Sequence, residues 1–363
     1  MKKGAHRAPF LTLICLFRFQ DTERPNLKRL ILLTLALVLL TSCTPNHEAE
    51  IALAGRTMGT TYSVKIIKPI DSELDTDSLQ DAIDQALINV NALMSTYDPN
   101  SELSLLNQAP SGQAFEISDQ TEVVIQEAIR LAKLSDGVLD VTVGPLVNLW
   151  GFGPDKRPES IPSPQQLLNA RQFVGIDKFV LKDSAITKLH RDVYIDLSTI
   201  AKGYGVDVVA SIIETVGINA YLVEIGGEMR VKGAKPNGQS WRIAVEKPVT
   251  SERAIQRIVS IGDNAIATSG DYRNYYEQEG VRYSHLIDPN TGYPIDHNLV
   301  SVTVVHPSSM IADGLATALN VMGPEKAKLL AEKENLSVLL ITKEGDEFVE
   351  YKSPEFEKQV IVY

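Results

Sequence analysis

Apolar residues along the chain fall into short blocks whose period switches between two and three to four, as expected where strands and helices alternate. Arg56 to Ile67 alternates, with Tyr62, Val64 and Ile66 on one side, and predicts a strand. Asp77 to Met94 puts Leu79, Ile83, Ala86, Leu87, Val90 and Leu93 on one helical face. Glu122 to Ser135, with Val123, Val124, Ile125, Ala128, Ile129, Leu131 and Ala132, predicts a second helix. Pro162 to Phe173 predicts a third, entered through Ser163-Pro164, where proline suits the first turn. Strand-like runs follow at Phe179–Leu181, Val193–Asp196 and Ala220–Ile225, with helical Ala201–Val216 between the last two. Trp241–Glu246, Ala254–Ile261 and Val300–Val305 read as strands, and Met310–Met322 and Pro324–Glu334 as helices. A strand pair, Ser337–Thr342 and Glu347–Tyr351, closes the chain. Elements interleave but hairpin spacings are plentiful, so the pattern predicts a mixed α/β (α+β) fold: largely antiparallel sheets with helices packed against them.

The N-terminus has a different pattern. Residues 1–29 carry seven basic side chains (Lys2, Lys3, Arg7, Arg18, Arg24, Lys28, Arg29) and two acidic ones. An uncharged apolar run, Leu30 to Leu40, comes next and ends in Leu40-Thr41-Ser42-Cys43. The run is short for a membrane span and has the length of a signal-peptide core. A branched apolar residue, two small residues and a cysteine make the order of a bacterial lipobox. Small residues let the backbone enter a peptidase groove, and the thiol accepts diacylglycerol. The competing reading is an uncleaved anchor helix running through Cys43. Thr44-Pro-Asn-His-Glu48 reads as the start of a flexible tether and favours the lipobox. The expected organisation is a signal peptide at 1–42, a lipidated Cys43 with a tether to residue 55, and one domain over 56–363. A second apolar run, Phe10–Phe17, and the long basic region do not fit a simple signal peptide; a true start just before Leu27 would explain both.

The chain has two cysteines, Cys15 and Cys43, so the exported form has no disulfide and no cysteine nucleophile or metal site. Removing the leader's seven basic and two acidic groups takes the net charge from −11 to −16. That argues against nucleic acid or an anionic membrane surface as the main partner, and solubility alone accounts for the acidity.

Four segments combine glycine, carboxylates and hydroxyls. Ser135 to Gly153 carries Gly137, Gly144, Gly151 and Gly153 and exposes backbone around Val138–Asp140, or else is a turn-rich core segment. Val193 to Asp207 runs from a strand ending at Asp196 into a helix beginning near Ser198 or Thr199. Such an N-terminus with Lys202 one turn in suits a phosphate, and equally suits an ordinary helix capped by Ser198. Ala265–Tyr276 and Tyr283–Ile295 bring Ser269, Asp271, Arg273 and His285 together if they pair as a hairpin, which makes a base among them plausible. Met310–Leu319 sets Asp313 and Thr317 at i and i+4 on one apolar helix face. Those two oxygens suit Mg²⁺, while the competing reading makes Asp313 a helix cap and Thr317 a back-bonded hydroxyl.

Together these blocks resemble the ApbE family of FAD:protein FMN transferases. The resemblance rests on Thr57–Tyr62, Met94–Ser104, Asp136–Gly153, Asp196–Gly203, Thr268–Arg273, Ser284–Pro289 and Ala312–Thr317, in family order from about Arg56 to the C-terminus. It implies that FAD is split at its pyrophosphate with Mg²⁺. FMN then passes to a Thr or Ser hydroxyl of an acceptor protein, and AMP leaves. The implied acceptors are membrane subunits of NADH:quinone reductase or Rnf-type complexes.

Position by position, the resemblance implies that Met58 and Tyr97 flank the flavin or adenine, and that Val138, Leu139, Asp140, Asp196, Lys202 and Ile287 bind FAD. It implies Thr199 (through its carbonyl), Asp313 and Thr317 as Mg²⁺ ligands, and His285 as the group that activates the acceptor hydroxyl. Lys202 stands where some members have Glu, and Ala316 where some have Asp, so one Mg²⁺ site is expected. An FAD pyrophosphatase and a non-catalytic flavin-binding lipoprotein are the alternatives. The expected location is lipid-anchored and periplasm-facing: the acceptors favour the inner membrane, while Thr44, in place of Asp, hints at the outer one.

Overall fold

The computed structural model describes residues 49–69, 72–154, 160–249, 254–272 and 274–363. The leader, Cys43 and Arg273 lie outside these residues.

The chain opens on a hairpin, β1 (Ala49–Thr57) and β2 (Thr60–Lys68), paired from Ala49↔Lys68 to Thr57↔Thr60. Its two-residue turn holds Met58 at φ +49° and Gly59 at φ +71°, the doubly left-handed geometry that matches strand twist. The single strand expected over Arg56–Ile67 is therefore two. Residues 49–55, expected in the tether, belong to β1, because Ile51 and Leu53 alternate inward and pack beside the Tyr62 cluster.

Two helices follow, α1 (Thr76–Met94) and the short α2 (Glu102–Gln108), then β3 (Ala114–Glu116) and α3 (Asp119–Leu134). Short α4 (Gly144–Leu149) and α5 (Pro164–Arg171) lead to the hairpin β4 (Phe179–Lys182) and β5 (Ala185–Lys188). Helix α6 (Ala201–Thr215) precedes β6 (Tyr221–Ile225), β7 (Glu228–Lys232), β8 (Ile243–Glu246), β9 (Ile255–Ser260) and β10 (Ala265–Gly270). A hairpin of β11 (Tyr275–Gln278) and β12 (Val281–Ser284) comes next, then β13 (Leu299–His306), α7 (Ser309–Met322) and α8 (Pro324–Lys333). The chain ends with β14 (Ser337–Glu344), β15 (Glu347–Lys352), α9 (Pro354–Gln359) and β16 (Ile361–Val362).

Eight strands form one antiparallel sheet in the order β1-β2-β6-β7-β10-β13-β14-β15. Helices α6 and α7 lie on it, and α7 is buried nearly all round, as its run of small and apolar residues requires. The mixed fold with antiparallel sheets is as expected.

Local differences are informative. Val193–Asp196, expected as a strand, belongs to none. Helix α6 starts at Ala201, not at Ser198 or Thr199; its N-cap is Ile200, which offers no side-chain acceptor. The hairpin near His285 is β11–β12, whereas β10 pairs with β7 and β13.

Candidate functional site

Four stretches of chain converge on one cavity of about 390 Å³. The first leaves α3 through a left-handed turn at Asp136 and Gly137, where the Gly137 N–H closes back on the Ala132 carbonyl at 2.8 Å. The buried Ser135 hydroxyl then accepts the Leu139 N–H at 2.9 Å, and Asp140 accepts both Thr142 N–H (2.8 Å) and Thr142 Oγ1–H (2.6 Å). These bonds fix Val138, Leu139 and Asp140 along the cavity wall. Burial pushes the Asp140 carboxyl up, and the two bonds from Thr142 pull it back part of the way.

The second stretch runs alongside. The Asp196 N–H donates to the Val141 carbonyl at 2.7 Å, and Asp196 Oδ1 accepts the Ser198 N–H at 2.8 Å. This turn carries Asp196, Ser198 and Thr199 to the wall and delivers Lys202 on the first turn of α6.

Helix α7 supplies the third. Asp313 and Thr317 share its cavity face. Asp313 Oδ2 accepts the Gly203 N–H at 3.0 Å, so Asp313 caps a free N–H of α6 instead of its own helix, whose cap is Ser308. The two helices meet this closely because residue 203 is glycine: a Cβ there would lie 2.3 Å from the Ser309 carbonyl oxygen. Asp207 of α6 returns the arrangement, accepting Ser309 N–H (3.1 Å), Met310 N–H (3.0 Å) and Ser308 Oγ–H (2.7 Å) at the start of α7.

The fourth stretch follows β10 and the β11–β12 hairpin. Thr268, Ser269 and Gly270 reach the cavity from the end of β10, and His285 and Ile287 from just beyond β12. The Asn274 carbonyl accepts both the His285 N–H (3.1 Å) and its Nδ1–H (3.0 Å). That bond commits the proton to Nδ1 and leaves Nε2 as an acceptor. Burial holds the His285 pKa below the ordinary histidine value, which keeps the ring neutral and basic in form. Ser269 and His285 both line the cavity, whereas Asp271 does not and pairs with Arg282 at 3.4 Å, so the expected meeting of Ser269, Asp271 and His285 is only partly met.

Every expected binding, metal and catalytic residue lines this cavity except Met58. Met58 lines an adjoining cavity of about 520 Å³, together with Tyr97, Asp196, Ser198 and Lys202, which line both. Volumes of this order suit a ligand held in two parts. Tyr97 is 70% exposed, leaving a large ring face available for stacking on a planar heterocycle.

One residue has no counterpart in the sequence reading. Glu228, at the start of β7, pairs with Lys202 Nζ at 2.5 Å. Its other oxygen, Oε2, is buried without a partner and the residue lines the cavity. The signal available in the sequence is Gly226-Gly227-Glu228, a tight turn at φ +60° and +111° that brings a carboxylate to a strand end. Burial works against the Lys202 ammonium, but Asp313 and Glu228 outweigh it and hold its pKa up. Burial pushes the Asp313 carboxyl up to about 7, Lys202 opposing this and Glu228 adding to it.

The residues fit a hard divalent cation. Asp313 and Glu228 are both carboxylates, Glu228 raising the proton affinity of Asp313; Glu228 Oε2 lacks a donor, and Thr317 and Thr199 add oxygen atoms. Among the described residues no group of three His, Cys, Asp or Glu side chains stands together.

An antiparallel sheet backed by a helix pair thus carries one cavity lined by carboxylates, hydroxyls, a lysine and a histidine. The ApbE family model matches residues 58–340, and the chain belongs to the ApbE family. It is 52% identical over 321 residues to the FAD:protein FMN transferase of Vibrio cholerae serotype O1, covering 88% of this chain and 96% of that one. It is 46% identical to the FAD:protein FMN transferase of Haemophilus influenzae, covering 92% and 98%. The structure of the flavin transferase ApbE from Vibrio cholerae superposes with a TM-score of 0.81 at 51% identity, over 86% of this chain and 99% of that one.

Proposed function

We propose that the protein moves the FMN moiety of FAD to a Thr or Ser hydroxyl of an acceptor protein and releases AMP. The acceptor oxygen forms a bond to the FMN phosphorus as the bond from that phosphorus to the AMP oxygen breaks. The observation that carries this reading is one cavity presenting a neutral histidine with a free Nε2 opposite the Lys202–Glu228–Asp313 group. His285 Nε2 takes the proton of the attacking hydroxyl. Lys202 offsets negative charge on the pyrophosphate as it is split, and Asp196 and the Val138–Asp140 backbone orient the nucleotide. Tyr97 and Met58 flank a flat ring across the join of the two cavities. Asp313, Thr317 and the Thr199 carbonyl would hold Mg²⁺, with Glu228 beside them; bound there, the ion supplies charge neutralisation for phosphoryl transfer.

The leader supports a second part of this reading: export, lipidation at Cys43, and a periplasm-facing place on the membrane. Acceptors are then membrane redox subunits of the NADH:quinone reductase or Rnf type, exposed on that side.

The test is direct. The chain from His47 onward is incubated with FAD, Mg²⁺ and an acceptor domain bearing an Asp-x-x-Ser/Thr-Gly-Ala-Thr motif. A covalently fluorescent acceptor band with AMP in the supernatant is expected. Free FMN with an unlabelled acceptor would replace transfer by hydrolysis, and unchanged FAD would reject both.

A further inference from the structure

Asp196 and Thr199 sit on a stretch of chain that the sheets do not hold. Residues 193–197 belong to no strand, yet Ile195 is fully buried. Buried backbone groups without partners are costly, so something must satisfy them. On one side the Asp196 N–H donates to the Val141 carbonyl at 2.7 Å. On the other side stands a single side chain. Asn107 Oδ1 accepts the Ile195 N–H at 2.8 Å, and Asn107 Nδ2–H donates to the Ile195 carbonyl at 2.8 Å. An amide side chain presents one donor and one acceptor in the plane of a peptide group, so it substitutes for one residue of a neighbouring strand.

Asn107 is itself held. It lies in the last turn of α2, and its carbonyl accepts a hydrogen bond from Lys188 Nζ. Lys188, on β5, is 2% exposed, and its second acceptor is the Arg191 carbonyl at 3.4 Å. Burial lowers its pKa. A buried cation spent on carbonyl oxygens near a helix C-terminus fixes that end in place.

We infer that Asn107 is a positioning residue: its side-chain amide replaces a missing sheet partner for Ile195 and sets where Asp196 and Thr199 stand in the cavity. Lys188 fixes Asn107, Asn107 fixes Ile195, and Ile195 fixes Asp196. The inference rests on the cavity holding FAD only for its second readout.

The experiment uses the protein from His47 onward. Hydrogen exchange of the wild type should show the Ile195 and Asp196 amides protected like strand amides despite lying in a loop. Rapid exchange of the Ile195 amide would overturn the clamp without reference to any ligand. Asn107→Asp keeps the shape and the acceptor but sets an oxygen against the Ile195 carbonyl. It should weaken FAD binding about tenfold, the lower end of what outer-shell groups contribute. Lys188→Met, which leaves the amide in place, should give a smaller loss in the same direction. The comparison is Ser353→Ala, which removes a buried hydroxyl bonded to Val338, Phe356 and Leu336 far along the chain. Ser353→Ala should lower the melting temperature and leave FAD affinity unchanged. If Asn107→Asp behaves the same way, with lower stability and wild-type FAD affinity, Asn107 is only structural and the inference fails. A wild type that binds no FAD would instead overturn the proposed function, with the exchange result still deciding the clamp.

Discussion

At the scale of single residues, the site depends on where protons are held. His285 donates Nδ1–H to Asn274, and burial lowers its pKa, so the neutral ring persists further into acid than an ordinary histidine would. Below that pKa the ring is a cation, Nε2 carries a proton, and it can take no other. The acid limb of the transfer rate should therefore fall below the usual histidine value of about 6.5, measured as single-turnover flavinylation against pH. His285→Ala should leave FAD binding intact and slow transfer by about 10²–10⁴-fold with the acid limb gone; lost binding with normal chemistry per bound FAD would reject the base role. Asp313 behaves in the opposite sense. Its folded pKa is raised, so the folded state keeps the proton longer than the unfolded chain, and ionising it at higher pH costs stability. Asp313→Asn keeps an oxygen for the Gly203 N–H and removes that charge. Without metal, at pH 8, its melting temperature should equal or exceed the wild type's, while Mg²⁺-dependent turnover falls by more than about a hundredfold, more than an outer-shell loss.

Between elements, the important contact is the exchange of caps by α6 and α7. Asp313 of α7 serves Gly203 of α6, and Asp207 of α6 serves Ser309 and Met310 of α7. Sequence reading places both helices but not this exchange, because a cap supplied from another helix leaves no local pattern. It puts the start of α6 near Ser198 for that reason: a serine before a helix is the usual acceptor, and the real one lies 110 residues away. Val193–Asp196 is misread as a strand for a related reason. Its alternation is genuine, but a side-chain amide and one carbonyl replace the neighbouring strand. The close approach gives a prediction at this scale. Gly203→Ala would set a Cβ 2.3 Å from the Ser309 carbonyl oxygen and 2.8 Å from Asp313 Cβ, both on a packed helix. Overpacking of this kind costs about 1–3 kcal/mol. Thermal unfolding should show that loss, and FAD turnover in the folded fraction should fall further, because the helices part at Asp313. A stable, fully active variant would show that the helices have room the geometry denies them.

For the whole molecule, the expected site residues lie hundreds of positions apart and still meet at one junction. That meeting was legible through the order of the family blocks, not through any block alone. Asp313 and Thr317 by themselves fit a capped helix as well as a metal site. The domain boundary was less legible, because Ala49 to Gly55 is rich in small residues and reads as tether. In the fold it is an edge strand, whose Ile51 and Leu53 pack on the Tyr62–Tyr221 core. A chain beginning at Arg56 should therefore be less stable than one beginning at Ala49 by about 2 kcal/mol, the worth of two half-buried side chains, and should melt a few degrees lower. Equal melting temperatures would return those residues to the tether. The boundary also bears on location. With β1 starting at Ala49, the stretch after Cys43 shrinks to Thr44–Glu48, five residues that reach at most about 18 Å when fully extended, against about 40 Å for a tether ending at Ala54. On the proposed reading, a lipid at Cys43 on so short a lead would confine the site to acceptors in the same membrane. The acceptor reading and the Thr44 sorting hint then conflict, and so short a lead is an argument for the proposed inner-membrane location. On density-gradient separation the lipidated protein should travel with inner-membrane markers, and Thr44→Asp should change neither that position nor acceptor flavinylation in cells. Wild-type protein in the outer-membrane fraction with its acceptors still flavinylated would show that the site works at a distance this tether cannot span.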